Sequence, residues 1–381
     1  MSVIGIPKEI APGETRVAMI PALISSLIRD MHTVLVEKGA GERASFSDDD
    51  YTKAGATIVP DAGDLYLKAD IIFKVQPPRE KINGKLEAEL IKEKGTYIGF
   101  FPPLVQKEVT DAFLKRNITS FSMEYIPRIT RAQSMDALSS MATVAGYKAV
   151  MLATEHLGKM FPLLMTAAGT VPPANVMILG AGVAGLQAIA TAKRLGAKVE
   201  AFDVRAAVKE QVKSLGAVFI EVDYEEKAEG AGGYAREQSA EFIRKQQEAL
   251  SARLPKTHVV ISTAQVFGKR APVILTAGMV RLMHAGSVIV DLAAEQGGNC
   301  ELTEPGKTVV KHGVTIVGAV NLPATIPTDA SMLYARNVLN LFKHLYPKTD
   351  AVPDFEDEVT KGACITRGGE IGYEMVLDSM K

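Results

Sequence analysis

Only two cysteines occur in 381 residues, Cys300 and Cys364, with no CxxC pair and no Cys/His spacing. That excludes a disulfide framework and a structural zinc site, so the chain reads as one made for a reducing compartment, with both thiols as buried fillers. An excess of either charge is missing too. With 43 basic side chains against 44 acidic ones, nothing draws the chain to nucleic acid or anionic lipid. The opening Met1-Ser2-Val3-Ile4-Gly5 has neither a basic region nor a long apolar core, so no secretory signal is read and the protein is expected to stay in the cytoplasm. A single run lacks charge altogether, between Lys159 and Lys193. It is long enough to span a bilayer, but Pro162, Pro172, Pro173, Asn175 and its glycines break it, and buried strand plus helix is expected instead.

What is present is a regular alternation. Short β-branched runs such as Val34-Leu35-Val36, Ile71-Ile72-Phe73 and Tyr97-Ile98-Gly99-Phe100, then Val176-Met177-Ile178-Leu179, Val259-Val260-Ile261 and Val288-Ile289-Val290, are separated by longer amphipathic segments. This is the pattern of βα units on parallel sheets. Lys53-Ala54-Gly55-Ala56, Arg194-Leu195-Gly196-Ala197 and Ser214-Leu215-Gly216-Ala217 each read as a helix closed by a left-handed glycine before a strand. Ser47 before three aspartates reads as an N-cap, not a metal site. The expected fold is α/β, with two Rossmann-like, doubly wound parallel-sheet domains separated by a cleft. The first would be discontinuous, 1–139 plus 330–381, and the second would occupy 140–329. A proline-free helix over 132–156 would cross between them, and a helical run over 329–345 would return to the first.

Gly180-Ala181-Gly182-Val183-Ala184-Gly185 follows an apolar strand and opens a helix expected over 186–195. In that setting the pattern is a dinucleotide fingerprint: Gly180 for the tight turn, Gly182 for approach of a pyrophosphate, Gly185 for close helix packing, and Val183-Ala184 leading into the helix N-terminus that faces the negative charge. Asp203 ends the next strand, where a carboxylate binds a ribose hydroxyl and favours NAD(H). Val204 and Arg205 follow at the same edge, Arg205 being the one feature that would suit a phosphate. A second glycine-rich stretch, Gly230-Ala231-Gly232-Gly233-Tyr234, lies in a polar loop that is either disordered or a lid, with Tyr234 the residue to fold over a nucleotide.

A carbonyl-reducing dehydrogenase needs a proton donor, yet His32, His156, His258, His284, His312 and His344 are scattered singly. Polar residues concentrate instead from Arg128 to Ser140, where Gln133, Asp136 and Ser140 are spaced to share a helical face, with Ser139 adjacent. An exposed, capped helix start explains the same pattern.

The run Pro127-Arg128-Ile129-Thr130-Arg131-Ala132-Gln133-Ser134-Met135-Asp136-Ala137-Leu138-Ser139-Ser140, with Ala145-Gly146-Tyr147, the fingerprint, and Asp291-Leu292-Ala293-Ala294-Glu295-Gln296-Gly297-Gly298-Asn299-Cys300, resembles the NAD(H)-binding component of proton-translocating nicotinamide nucleotide transhydrogenases across nearly the whole chain. Alanine dehydrogenases share the architecture, Arg16 and Lys74, but place a histidine near Gly99 and an aspartate where Glu295 stands. The transhydrogenase resemblance implies direct hydride transfer from NADH to NADP(H) held by a partner subunit, coupled to proton translocation. It implies that Gln133 holds the dihydronicotinamide, Arg128 and Asp136 frame it, Ser139 contacts the carboxamide or ribose, and Tyr234 lies in a mobile loop. It also implies a homodimer, peripheral on the cytoplasmic membrane face through membrane-embedded partners. Two alternatives are an alanine-dehydrogenase-like amino-acid oxidoreductase, with Arg16 and Lys74 on the substrate, and a non-catalytic NAD(H) sensor.

Overall fold

A computed structural model of the chain describes residues 1–222, 239–266, 269–348 and 351–372. It divides into two compact units, Met1–Met141 with Pro323–Lys381, and Ala142–Leu322. The units are Rossmann-like α/β folds.

In the first unit an eight-stranded sheet runs in the order Glu370–Ile371, Cys364–Arg367, Thr119–Ser122, Thr96–Gly99, Ile71–Phe73, Val3–Ile6, Thr33–Glu37, Thr57–Val59. The last six, taken in chain order, form the sequence 3-2-1-4-5-6 with parallel pairing throughout. Such an order reverses direction between Val3–Ile6 and Ile71–Phe73, which opens a crevice at the carboxyl ends of those strands. Cys364–Arg367 and Glu370–Ile371 add an antiparallel edge. Leu35, Ile72 and Tyr97 present one buried face of the sheet to Leu65, Tyr66, Val109 and Phe113.

The second unit repeats the plan with seven strands, ordered Val218–Phe219, Lys198–Phe202, Asn175–Leu179, Val259–Ser262, Val288–Asp291, Val314–Gly318 and the antiparallel Thr308–Lys311. Strand alternation builds two cores from one segment. Val176 and Ile178 join one apolar cluster, Met177 and Leu179 the other, the arrangement required of a sheet covered on both faces.

Three expectations change. The charge-free run is not wholly buried: Leu164–Thr166 and Gly169–Val171 form a separate, largely exposed hairpin before the buried strand and helix. The fingerprint helix begins at Val183, three residues ahead of the position expected from hydrophobic periodicity. The helix expected over 132–156 is broken. A 3₁₀ turn spans Thr130–Met135, Asp136 leaves helical geometry at ψ 89°, and the α-helix is Ala137–His156. Gln133 and Asp136 therefore do not share a helical face with Ser140. Ser47 caps Asp48–Lys53 as expected, in a full capping box with Asp50.

Candidate functional site

The fingerprint's three glycines have separate physical causes. Gly180 sits at φ +94°, open to glycine at little cost, and a Cβ there would lie 2.8 Å from Thr263 Oγ1. A Cβ on Gly185 would lie 1.9 Å from the Gly180 carbonyl oxygen, so only glycine lets the helix pack this close to the strand. Gly182 is different: its nearest neighbour would be an Arg205 guanidinium nitrogen at 4.0 Å, leaving the backbone approachable. Gly182 is also the N-cap of Val183–Arg194, and no side chain caps that helix. Twelve residues of aligned peptide dipoles thus end on a bare, glycine-lined turn, which is a cradle for a pyrophosphate. The helix Ala137–His156 crosses the same start through Gly146, where a Cβ would fall 2.1 Å from the Ala184 carbonyl oxygen.

Asp203 closes this turn from the neighbouring strand. Its Oδ2 accepts from the Ala181 N–H at 2.7 Å and from Arg205 Nη2 at 2.8 Å. Its Oδ1 accepts from the Arg205 N–H at 2.8 Å and Nε at 2.9 Å. Only 8% of the residue is exposed. Four donors already fill a carboxylate with about four lone-pair sites, so a ribose hydroxyl reaches Asp203 only by displacing part of Arg205. Val204 packs into the apolar cluster beneath and supplies no polar contact of its own.

Beyond the first strand the carboxyl edge is held by residues whose part the sequence pattern did not reveal. Asp291, fully buried, accepts from Ser262 Oγ, Thr303 Oγ1 and the N–H groups of Ala293, Asn299 and Cys300, at 2.7–3.0 Å. Asn299 passes the constraint on, accepting from the Ala264 N–H at 3.0 Å and donating to the carbonyls of Ala264 and Pro272 at 2.8 Å. The signal for such a knot was Gly297-Gly298, both at positive φ, directly after a strand and turn.

In the first unit the segment from Arg128 to Ser140 is anchored by Ala132 and Met135, which are buried, while Arg128 and Gln133 are exposed. Asp136 acts as a cap: its carboxylate accepts the Ser139 N–H at 2.9 Å and the Ser139 hydroxyl at 2.5 Å. The 3₁₀ turn is buttressed by two amides, Asn337 Nδ2 and Asn340 Nδ2, donating to the Ser134 carbonyl at 2.9 and 3.0 Å. Arg131 is tied to Asp357 at 2.5 Å. The structure thus brings Asp136 and Ser139 together in one unit, and Gly180, Gly182, Gly185, Asp203 and Arg205 in the other. Gly233 and Tyr234 lie outside the described residues.

The alanine dehydrogenase/PNT N-terminal domain matches residues 5–145 and its C-terminal domain residues 149–374. The chain belongs to the alanine dehydrogenase/PNT family. Within that family it is 52% identical over 97% of both chains to the first of the separate NAD(P) transhydrogenase alpha-subunit chains of Rhodospirillum rubrum. It is 43% identical over 98% of both chains to the protein of the same name from Rickettsia prowazekii. Against alanine dehydrogenase 2 of Staphylococcus aureus identity is 28% over 99% of each chain. A crystal structure of transhydrogenase from Sinorhizobium meliloti superposes with TM-score 0.87 at 42% identity, covering 97% of this chain and 99% of that one. These likenesses make the chain an oxidoreductase component on the transhydrogenase side of the family.

Arg16 and Lys74, the residues that an alanine dehydrogenase would turn to substrate, are buried in the first unit among carboxylates. Arg16 holds Glu14 through two bonds, Nε to Oε1 at 2.8 Å and Nη2 to Oε2 at 2.6 Å. Burial raises the Glu14 pKa, but Arg16 and Gln76 outweigh it and hold the group at about 2. Lys74 Nζ lies 2.8 Å from Glu87 Oε1 and 3.3 Å from Glu9 Oε2. Glu124, just past the strand Thr119–Ser122, has a buried Oε2 with no hydrogen-bond partner among the described residues, and burial pushes its pKa up to about 7.

Proposed function

We propose that this chain is the NAD(H)-binding subunit of a proton-translocating transhydrogenase, passing hydride directly from NADH to NADP+ held on a partner subunit. The geometry of Gly180, Gly182 and Gly185 with Asp203 carries the reading. Its turn, bare helix start and carboxylate match a dinucleotide's pyrophosphate and unphosphorylated ribose. The bound dinucleotide supplies the hydride, and the chain's residues bind and orient it. Gln133 orients the dihydronicotinamide, Arg128 and Asp136 frame it, and Ser139, fixed by Asp136, meets the carboxamide or ribose. No helix among the described residues is long and apolar enough to cross a membrane, so proton movement belongs to membrane-embedded partners. On this reading the chain works as a homodimer, peripheral on the cytoplasmic face.

The test mixes the chain with an NADP(H)-binding transhydrogenase component and NADH deuterated at C4. The label should pass directly to the second nicotinamide. Wash-out into solvent, or enzymatic NADH oxidation by this chain alone with pyruvate and ammonia, defeats the proposal and favours the amino-acid oxidoreductase.

A further inference from the structure

At the opposite end of the second unit's sheet from the fingerprint, where the strands begin, lies a cavity of about 430 Å³. Its wall carries Lys193, Lys198, Arg253 and Lys256 against a single carboxylate, Glu200. Arg253 Nε sits 3.8 Å from Glu200 Oε1, so these two charges answer each other. Lys193, Lys198 and Lys256 form no ion pair among the described residues, and three ammonium groups converge on one concavity.

Helix ends account for only part of this. Lys193 is in the last turn of Val183–Arg194 and Arg253 follows Ala240–Ser251, where cations complement the dipole. Lys198 opens a strand and Lys256 ends a three-residue turn, so neither has that reason to be there. The wall is also fixed in place. Asn175 Nδ2 donates to the Lys256 carbonyl at 2.7 Å, and Thr257 Oγ1 to the Arg253 carbonyl at 3.0 Å. Gly216, at φ +77°, leaves room for Lys193: a Cβ there would meet Lys193 Cε at 3.3 Å and Nζ at 3.8 Å. His258, which begins a neighbouring strand, has its pKa lowered first by burial and then by Lys159 and His284, so the positive field extends along this edge.

We propose that this cavity is a second binding site, for a compact, multiply charged anion of the phosphate class. Its volume falls within the range of small-molecule pockets, about 300–1,000 Å³. Lysine ammonium groups bind phosphate oxygens as point charges, and three of them match a di- or trianion better than a monocarboxylate. A concave wall around a fixed turn favours a small ligand over a membrane surface.

The test titrates inorganic pyrophosphate into the full chain by calorimetry, with and without saturating NADH to keep the fingerprint filled. One site per chain is expected in the presence of NADH, weakening as salt rises. The double variant Lys198→Glu, Lys256→Glu, both exposed positions, should lose at least about tenfold in pyrophosphate affinity, with NADH affinity and melting temperature unchanged. Lys193→Met should weaken binding in the same direction. No pyrophosphate binding beside bound NADH, binding indifferent to these substitutions, or binding only to vesicles containing phosphatidylserine would each overturn the proposal.

Discussion

Replacing Asp203 by asparagine keeps the shape of the ribose-facing group and removes its charge, which separates the two things this residue is proposed to do. NADH should bind less well, because a hydroxyl bonded to a carboxylate is worth about 1.5–3 kcal/mol, or roughly 10- to 150-fold in affinity. NADPH should bind better for two reasons. A carboxylate and a dianionic phosphate about 5 Å apart repel by about 6 kcal/mol at an effective dielectric of 20. Even a third of that, after screening by salt, is a factor of about 30. The substitution also releases Arg205, which spends its Nε and Nη2 on Asp203 in the wild-type chain, to meet the 2′-phosphate. The ratio of NADPH to NADH affinity should therefore rise by at least about 100-fold, read by fluorescence titration of both nucleotides. Adding Arg205→Ala to the Asp203→Asn variant should take back most of the gain for NADPH. Arg205→Ala alone should leave NADH binding unchanged or tighter, since the guanidinium no longer has to be displaced. A shift in the ratio below about tenfold, or severe loss of NADH binding in the Arg205→Ala variant, would refute the assignment of this edge to the ribose.

Gln133→Asn should slow hydride transfer at least about tenfold while changing NADH affinity much less, because the dinucleotide's anchoring energy comes from the fingerprint; stopped-flow transfer rates beside equilibrium titration decide it. The double variant Asn337→Ala, Asn340→Ala strips both donors from the Ser134 carbonyl. It should cost about 1–3 kcal/mol in denaturant stability and lower the transfer rate with little change in NADH affinity, whereas an unchanged rate would confine the two amides to folding. For Glu124, the folded carboxyl titrates at about 7 against an ordinary 4.5. Both states are protonated below the lower value, the unfolded chain alone ionises between the two, and stability therefore falls as pH rises to about 7. Glu124→Gln should remove this fall, gaining up to about 3 kcal/mol at pH 8 and nothing at pH 4, measured as denaturant midpoints at the two pH values.

The features legible in the sequence are those whose cause is local. Gly180, Gly182 and Gly185 are required by backbone geometry within six residues, and Asp203 by the fixed length of the helix and strand that follow. Gly55, Gly196 and Gly216 all take positive φ at helix ends, as their setting before a strand demanded. The break at Asp136 escaped because Ala132, Gln133 and Met135 are good helix formers, and what stops the helix is the Asp136 carboxylate closing on Ser139. An aspartate three residues before a serine was the available signal, though it reads as readily as an interior pair. The antiparallel edges escaped for another reason. Thr308–Lys311 and Cys364–Arg367 are short, and their hairpins turn at His312-Gly313 and Gly368-Gly369, all at positive φ. Those dipeptides announce a hairpin, but a reading tuned to parallel βα units passes over them. Asn299 and Asp291 could not be found locally, since their partners come from loops after several different strands.

The positions of the histidines bear on the chemistry. His32, His258 and His284 lie just before Thr33–Glu37, Val259–Ser262 and Val288–Asp291, at the amino ends of their strands. His258 spends Nδ1 on the Asn175 N–H, His32 stacks edge-on against Phe342, and His344 bonds Asp357. Ligands of doubly wound sheets sit at the carboxyl ends, the end that carries the fingerprint in one unit and Lys74 and Glu124 in the other. Reduction of a carbonyl would need a proton donor there. Lys74, the cation at that edge, has its ammonium between Glu87 and Glu9. Burial lowers its pKa, but those carboxylates outweigh it and hold the pKa above the ordinary lysine value, far from the near-neutral value that suits general acid catalysis. Hydride passing between two nicotinamides generates no alkoxide and asks only for two rings held about 3–3.5 Å apart in line. The residues this chain fixes most firmly, Asp203 on the fingerprint turn and Asp136 on Ser139, are holders of geometry, which is the work such a transfer leaves to the protein.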